Sequence, residues 1–223
     1  MARQLVFDLG ARPALGRDDF LVSKANAQAV ARLETTADWL SHRLLLTGDV
    51  AAGKTHLARI WACDENACVL QAGELAAPLP DVATVVDQAD AAAGDAAAEE
   101  ALFHLINHLA AQRLPLLLVA RRAPEVWGVA LPDLLSRLTA TQIAEISAPD
   151  DGLLSALLVK HLADRQLTAD PNAIAFIVPR MPRSYLAARE LVRALDAQSL
   201  SKSGKITRAI AAEALASLPA TSS

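Results

Sequence analysis

One octapeptide limits what this chain can fold into more than any other stretch of the sequence. It matches the phosphate-binding pattern G-x-x-x-x-G-K-[ST] at every specified position and is preceded by an apolar run and followed by a helical pattern. In such a loop, glycines turn backbone N–H groups toward phosphates, the lysine neutralises the terminal phosphates and the threonine hydroxyl binds Mg²⁺. The sequence therefore predicts a nucleotide-binding site, formed by Gly48, Val50, Ala51, Ala52, Gly53, Lys54, Thr55 and His56.

Short apolar runs alternate with helical patterns on both sides of this loop. The runs lie at residues 42–47, 68–72, 82–87, 115–120 and 143–146. Strand–helix alternation around a phosphate-binding loop predicts an α/β domain with a five-stranded parallel sheet, which we place at residues 14–148. Residues 149–219 contain helical patterns only, which predicts a small all-helical lid domain, and residues 220–223 are expected to be a disordered tail.

The third apolar run ends in Asp87, about thirty residues beyond Lys54. Nucleotide-binding domains of this kind place at this point a carboxylate that holds Mg²⁺ through water, together with the loop threonine, Thr55. An aspartate at the end of a strand can also be a simple turn former, so the metal role depends on the loop. The next residue is Gln88 rather than a second carboxylate. Because glutamine orients water but is a poor base, we expect hydrolysis by this chain itself to be weak or absent.

The N-terminal hexad Gln4-Leu5-Val6-Phe7-Asp8-Leu9 has two interpretations. It can be an edge strand that packs on the domain, or a linear peptide whose glutamine and apolar side chains fill a pocket on a partner. Composition alone does not decide between them.

Composition and charge exclude several classes of protein. The net charge is −4, which does not favour a general nucleic-acid binder, and no apolar run approaches the ~20 residues of a membrane span. No export signal is visible, and Cys63 and Cys68 are the only cysteines, so we expect reduced thiols and a cytoplasmic location.

In combination, these features resemble AAA+ ATPases, and within them the DnaA family of replication initiators. Phe20-Leu21-Val22-Ser23-Lys24-Ala25-Asn26 is similar to the family's adenine-contacting segment, which implies nucleotide-binding roles for Phe20 and Val22. The segment at 131–138 resembles the arginine-finger segment and puts the finger on Arg137, and Met181-Pro182-Arg183 falls where the sensor II arginine lies. Arg121 stands at the sensor I position and departs from the family pattern, as Gln88 does, which again puts self-hydrolysis in doubt.

Within that family, the chain resembles the Hda proteins, regulatory inactivators of DnaA that lack its DNA-binding domain. The hexad is similar to a sliding-clamp-binding peptide, which implies clamp-binding roles for Gln4, Leu5, Phe7 and Leu9 within an N-terminal segment at residues 1–13. The resemblance implies a negative regulator of replication initiation that binds ADP or ATP with Mg²⁺ and has the sliding clamp and DnaA as partners. It also allows self-association, with no membrane partner and no sequence-specific DNA binding.

Two other functions stay open from the sequence. The chain can be a self-sufficient AAA+ ATPase or loader that cycles its own nucleotide, against which Gln88 argues. It can also be a tether that binds clamp and initiator without finger catalysis.

Overall fold

The fold is organised around a sheet of five parallel strands. The computed structural model describes residues 20–75, 78–199 and 205–217. The strands are β1 (Arg43–Gly48), β2 (Cys68–Gln71), β3 (Thr84–Asp87), β4 (Leu116–Val119) and β5 (Gln142–Ile146). Their order across the sheet is β2-β3-β4-β1-β5, and every pairing is parallel. The predicted α/β class and its five-stranded parallel sheet are confirmed.

Helices cover both faces of this sheet, because successive side chains of a strand point to opposite faces. The helices are α1 (Ala27–Glu34), α2 (Lys54–Asp64), α3 (Ala96–Ala111) and α4 (Pro132–Thr139). Leu44 and Leu46 pack into one core with α1 and α2, whereas Leu45 packs into the other core with α3 and α4. The unbroken apolar run of β1 follows from burial on both sides.

Strand order places the expected site at one edge of the sheet. From β1 the chain passes through the phosphate-binding loop and α2 to β2 at the far edge, and it then returns through β3 and β4. Since all strands run in the same direction, the loop after β1 and Asp87 at the end of β3 lie at the same carboxyl edge. That edge is where open α/β sheets bind ligands.

The C-terminal part has a core of its own. Its helices are α5 (Asp151–Ala163), α6 (Pro171–Ile177), α7 (Tyr185–Ser199) and α8 (Arg208–Ala216), and their apolar faces form one separate buried cluster. Asp150, Asp170 and Thr207 cap α5, α6 and α8 through their side chains. Two parallel two-residue strands, β6 (Thr168–Ala169) and β7 (Lys205–Ile206), are added to the predicted helices. They are too short to leave a periodic pattern.

Two segments predicted from the sequence lie outside the described residues. They are the predicted clamp-binding segment at 1–13, with Gln4, Leu5, Phe7 and Leu9, and the tail at 220–223. Within the described ranges, no helix combines the length and apolar character needed to cross a bilayer.

Candidate nucleotide-binding site

The two glycines of the phosphate-binding loop are required by the close approach of other groups. Gly53 has φ +87°, and a Cβ there would lie 3.0 Å from the Phe20 ring. At Gly48, with φ +151°, a Cβ would lie 2.8 Å from the carbonyl oxygen of Ile146. The loop therefore fits between the end of β5 and the Phe20 segment only with glycine at both positions.

Lys54, the first residue of α2, folds its ammonium group back over the loop. Its Nζ donates to the carbonyl oxygens of Gly48 at 2.6 Å and Asp49 at 2.7 Å. Burial lowers the pKa of Lys54, while the nearby carboxylates of Asp90, Asp49 and Asp87 act in the opposite direction. The ammonium thus stands over the loop among carboxylates, where a polyphosphate can replace the carbonyl contacts.

Thr55 and Asp87 meet across the carboxyl edge. The Thr55 hydroxyl donates to Asp87 Oδ2 at 2.9 Å, and the Asp87 side chain is buried. Threonine and carboxylate oxygens are ligands that Mg²⁺ uses beside phosphates. No group of three or more His, Cys, Asp or Glu side chains poised for a metal occurs among residues 20–75, 78–199 and 205–217. A metal here would thus depend on the nucleotide for further ligands.

Gln88 is turned away from a catalytic position. Its backbone has φ +54°, and its N–H donates to Asp87 Oδ1 at 2.9 Å. The Gln88 side-chain amide donates to Gln71 Oε1 at 3.3 Å, toward the edge strand β2. A neutral amide held by a second amide provides no base for an attacking water.

Arg121, two residues beyond the end of β4, brings a second cation to this edge. Its N–H donates to Asp90 Oδ2 at 3.3 Å, and its positive charge contributes to lowering the pKa of Lys54. Arg121 and Asp90 line one small cavity together with Arg122 and Trp127. Arg121 therefore adds positive charge beside Lys54 and the phosphate loop.

The Phe20 segment is held in place by Asn26. The buried Asn26 side chain accepts from Ser23 N–H at 2.8 Å and donates to the Leu21 carbonyl at 2.8 Å. The Phe20 ring meets the His56 ring edge-on, with centroids 6.0 Å apart. His56 Nε2 is buried and has no hydrogen-bond partner among the described residues. The Phe20 ring and a buried imidazole nitrogen without a partner thus lie together beside the phosphate loop.

The lid closes the site from the other side. A cleft of about 560 Å³ is lined by residues 51–56 and by lid side chains from α5 and α7, and this volume lies in the range typical of ligand pockets. The lid side chains are Leu157, His161, Tyr185 and Arg189. Phe20 lines a second cavity that shares His56, Leu157, His161 and Tyr185. Loop, Phe20 segment and lid thus surround one space.

Tyr185 joins the lid to the sheet. Its hydroxyl donates to the Ser147 carbonyl at 3.1 Å, just beyond β5. Burial, with the charges of Asp150 and Asp49, raises the pKa of Tyr185 to about 12. The phenol therefore stays a hydrogen-bond donor at neutral pH. Burial also lowers the pKa of His161, which favours the neutral imidazole in the cleft.

Among the residues selected from the sequence, Val22 and Arg183 lie away from the cleft. Val22 is 61% exposed and lines a separate groove between α1 and α2. Arg183 precedes α7, which begins at Tyr185 rather than at the expected Pro182, and its guanidinium pairs with Asp151 at 3.1 Å. The lid cation that lines the cleft is Arg189 instead. Because Arg189, His161 and Tyr185 reach the site only through the docking of the lid, no local pattern identified them.

Arg137 is exposed on α4, beside the stripe formed by the buried Leu134 and Leu138. Its guanidinium is 5.9 Å from the centroid of the Phe103 ring, which projects from α3. It lines neither cavity around the phosphate loop.

Glu99 is a site-organising residue that the sequence did not reveal. Its buried carboxylate accepts hydrogen bonds from the N–H groups of Gly94 at 2.8 Å, Ala130 at 3.0 Å and Leu131 at 2.8 Å. These hydrogen bonds lower the pKa of Glu99. The carboxylate thereby links the turn that follows Asp87 to the residue that precedes α4.

Comparisons of the sequence with known proteins find a replication initiator among its relatives. No family model matches the chain. It is 26% identical over 216 residues to the chromosomal replication initiator protein DnaA of Sphingopyxis alaskensis, which covers 84% of this chain and 47% of that protein. It is also 28% identical over 176 residues to an uncharacterized protein of Haemophilus influenzae, covering 72% of this chain and 75% of that protein. The chain thus spans about half the length of the DnaA that it matches.

Solved structures of AAA+ proteins share the fold. Domain III of the Thermotoga maritima DnaA superposes with a TM-score of 0.76 at 17% identity, covering 92% of this chain and 96% of that one. AMPPCP-bound DnaA from Aquifex aeolicus gives 0.68 at 16% identity, covering 85% of this chain and 67% of that one. The Thermotoga maritima RuvB branch migration motor gives 0.66 at 21% identity, with 90% and 71% covered. The chain has an AAA+ fold like that of DnaA domain III.

Proposed function

We propose that this AAA+ domain of the DnaA type is a negative regulator of replication initiation that stimulates ATP hydrolysis by DnaA in trans. In this proposal, Arg137 enters the ATP site of DnaA and stabilises the charge that develops during phosphoryl transfer. The observation that carries the proposal is the position of Arg137, exposed on α4 and outside the chain's own cleft. Arginine fingers in other systems raise rates by about 10³–10⁵.

A resident ADP or ATP would hold the two parts of the chain together. The phosphate loop, Lys54 and Thr55 would bind its phosphates, Asp87 would assist Mg²⁺, and Phe20 and His56 would flank the base. When bound, the nucleotide supplies negative charge that neutralises the cations at this edge. The orphaned His56 Nε2 and the glycine cradle beneath Phe20 support this assignment. Val22 and Arg183 remain proposed contacts that would require movement from their present positions.

The chain's own ATP hydrolysis is proposed to be weak. Gln88 occupies the position of the second carboxylate, and its side-chain amide is hydrogen-bonded to Gln71, so this residue offers no base to a water near Thr55. Arg121 adds a cation where the family has a different residue type. Neither departure affects Arg137, because a trans-acting finger works on the partner's nucleotide.

Recruitment by the sliding clamp is proposed for the segment that contains Gln4, Leu5, Phe7 and Leu9. Binding to a clamp on DNA would raise the local concentration of this chain near newly replicated DNA. The direct test uses a peptide spanning residues 2–12 and its Gln4→Ala and Phe7→Ala versions. We expect micromolar binding to the clamp that both substitutions abolish; equal binding by all three peptides would remove recruitment from the proposal.

The finger is tested by the Arg137→Ala variant in an assay that contains DnaA–ATP, the clamp and DNA. We expect loss of stimulated hydrolysis with clamp binding retained, and no effect from Arg193→Ala, an exposed arginine on α7. Retained stimulation in Arg137→Ala would favour the tether function instead. A self-sufficient ATPase, which the Lys54–Thr55–Asp87 set would permit, requires turnover of Mg-ATP by the purified chain alone.

A further inference from the structure

The lid carries two arginines that meet on one phenylalanine ring. Phe176 lies on α6, Arg180 ends the short 3₁₀ turn that follows α6, and Arg208 is the first residue of α8. The guanidinium carbon of Arg180 is 4.1 Å from the centroid of the Phe176 ring, and that of Arg208 is 4.7 Å from the same centroid. The two cations therefore lie no farther apart than the sum of these distances, although they come from different elements of the lid.

The ring holds both side chains at the surface of the lid. Phe176 is half-buried and packs against the lid core, whereas Arg180 and Arg208 are exposed. Arg180 is fixed further, because its Nη1 donates to the Phe176 carbonyl oxygen at 3.0 Å. Attraction between a guanidinium and an aromatic face limits the conformations of a long side chain. Less ordering is then needed when the two arginines bind a ligand.

Neither arginine is neutralised by a carboxylate within the described part of the chain. The neighbouring Arg183 pairs with Asp151 at 3.1 Å. No ion pair between described residues includes Arg180 or Arg208. A guanidinium has five N–H donors in a planar fork, and in Arg180 the Phe176 carbonyl takes one of them. The stack can therefore offer N–H donors from two guanidinium groups to one anionic ligand.

The sequence around this stack is basic within an acidic chain. From Arg180 to Arg208 there are seven Lys or Arg residues against Glu190 and Asp196, a net charge of +5, although the whole chain has −4. Lys205, which opens β7 just before α8, is also exposed. A local excess of one sign attracts ligands with many charges of the opposite sign. This part of the lid therefore favours a polyanion over a single carboxylate.

Apolar anchors are missing from the elements that carry the stack. None of the large apolar side chains exposed among the described residues belongs to α6, to the turn after it or to α8. Exposed positions on these helices include small or polar residues such as Asn172, Ala175 and Ala209. Protein–protein interfaces are centred on buried aromatic or aliphatic anchors, whereas protein–DNA interfaces are more polar and much more positively charged. The surface thus fits nucleic acid better than an acidic protein.

We propose that Phe176, Arg180 and Arg208 form a contact site for the phosphodiester backbone of duplex DNA. Successive phosphates of one strand repeat at about 3.4 Å along the helix axis, so two guanidinium groups held on one ring can bind one phosphate or two neighbouring ones. Such contacts carry no sequence information. Because the two cations already occupy the Phe176 ring, it is not an open stacking platform of the kind that holds unpaired bases. This site goes beyond the proposed function, since it adds a nucleic-acid partner and does not depend on Arg137.

The first test measures binding of the full chain to a fluorescein-labelled duplex of arbitrary sequence by anisotropy, with excess Mg-ADP to occupy the phosphate loop. We expect a dissociation constant of about 10⁻⁴–10⁻⁶ M that rises with added salt. Arg180→Ala/Arg208→Ala should bind about tenfold more weakly, and the steepness of its log–log salt dependence should fall by about two.

The matched control is Arg59→Ala/Arg113→Ala, which removes two exposed arginines of the α/β domain. Because it changes the net charge of the chain by the same amount, it separates the stack from a general charge effect. We expect it to bind the duplex like the unmodified chain. No binding by the unmodified chain, or equal weakening in the two double variants, would overturn the inference.

The second test asks whether the stack matters beyond its charge. Arg180→Lys/Arg208→Lys keeps both charges but replaces planar forks with ammonium groups that bind phosphate as point charges. We expect an affinity about threefold lower, and a similar loss in Phe176→Leu, whose melting temperature reveals any part of the loss that comes from unfolding. Unchanged affinity in both the lysine pair and Phe176→Leu would overturn the stack as a binding site.

Competition experiments identify the anion. Unlabelled duplexes of two unrelated sequences should displace the probe equally, whereas a single strand of the same length and poly-L-glutamate should displace it less. Equal displacement by poly-L-glutamate would indicate an acidic protein partner instead, and tighter binding of the single strand would contradict the assignment to duplex DNA. Arg137→Ala should bind the duplex normally, so loss of stimulated DnaA–ATP hydrolysis and loss of duplex binding can be told apart.

Discussion

The Thr55 hydroxyl and the Asp87 carboxylate, 32 residues apart in the chain, lie 2.9 Å apart at the carboxyl edge of the sheet. The contact joins the first turn of α2 to the end of β3 across the intervening β4. Asp87 is buried at this point, and its other carboxylate oxygen accepts a hydrogen bond from the Gln88 N–H. This arrangement places a hydroxyl and a carboxylate where a magnesium ion bound to a nucleotide would need them.

Replacing Asp87 should therefore remove the effect of Mg²⁺ on nucleotide affinity. For Asp87→Asn we expect ADP to bind equally with Mg²⁺ and with EDTA, whereas the unmodified chain should bind more tightly with Mg²⁺. The measurement is a fluorescent-ADP titration in both buffers, with Glu125→Gln, an exposed carboxylate, as the control. An unchanged Mg²⁺ effect in Asp87→Asn would show that Asp87 is only a turn residue.

Replacing Gly53 with alanine should weaken nucleotide binding as well as lower the free energy of unfolding. A Cβ at Gly53 would meet the Phe20 ring at 3.0 Å, whereas Gly128 has a similar φ of +81° and no atom within 4 Å of the same position. We expect Gly128→Ala to lose only about 1 kcal/mol of stability. Gly53→Ala should in addition weaken ADP binding by displacing Phe20. If both variants bind ADP like the unmodified chain, Phe20 has no role in the site.

The pKa of Tyr185 can be read directly, because it is the only tyrosine of the chain. We expect phenolate absorbance to rise with a midpoint of about 12 in the folded protein and near 10 after denaturation. Since the unfolded phenol loses its proton first, the free energy of unfolding should fall as pH rises above about 10. Tyr185→Phe should abolish that loss between pH 10 and 12. A folded midpoint near 10 would mean that Tyr185 is not held against Ser147.

The stability that Glu99 contributes should be lost as pH falls, whereas that of Tyr185 is lost as pH rises. Hydrogen bonds lower the pKa of Glu99, so its contribution is present above the pKa of the unfolded chain and is lost as pH falls through the folded value. Glu99→Ala leaves the N–H groups of Gly94, Ala130 and Leu131 without their acceptor and should cost about 2–4 kcal/mol at pH 7. Urea unfolding at pH 7 and at pH 4 measures both effects. The exposed Glu100→Ala is the control, and equal losses in the two variants would contradict the buried link.

The parts of the molecule that local patterns determine were predictable from sequence. The phosphate loop is defined by steric and charge requirements within eight residues, and Asp87 follows because a buried apolar run ends there. Asp95 and Asp170 cap α3 and α6 through N–H groups two or three residues away, and such local interactions can be recognised in a sequence. For the same reason the five strands and their parallel class could be inferred from their lengths and spacing.

The remaining features depend on contacts between distant segments. Tyr185 and Arg189 reach the cleft only because the lid packs against the end of β5, and the sequence pattern selected Arg183 in their place. Glu99 appears in the sequence as one of two adjacent acids on a helix, and its burial follows from the loop before α4. Arg208 reaches the Phe176 ring only because α6 and α8 pack into one lid core, which no local pattern indicates.

The most direct measurement is a single-turnover assay in which labelled ATP is bound to DnaA alone and this chain carries unlabelled ADP. With clamp and DNA present, we predict that the chain accelerates hydrolysis of the DnaA-bound ATP by about 10³-fold or more. The Arg137→Ala variant should give no acceleration. Hydrolysis at the rate of DnaA alone, or full acceleration by Arg137→Ala, would contradict a trans-acting arginine on α4.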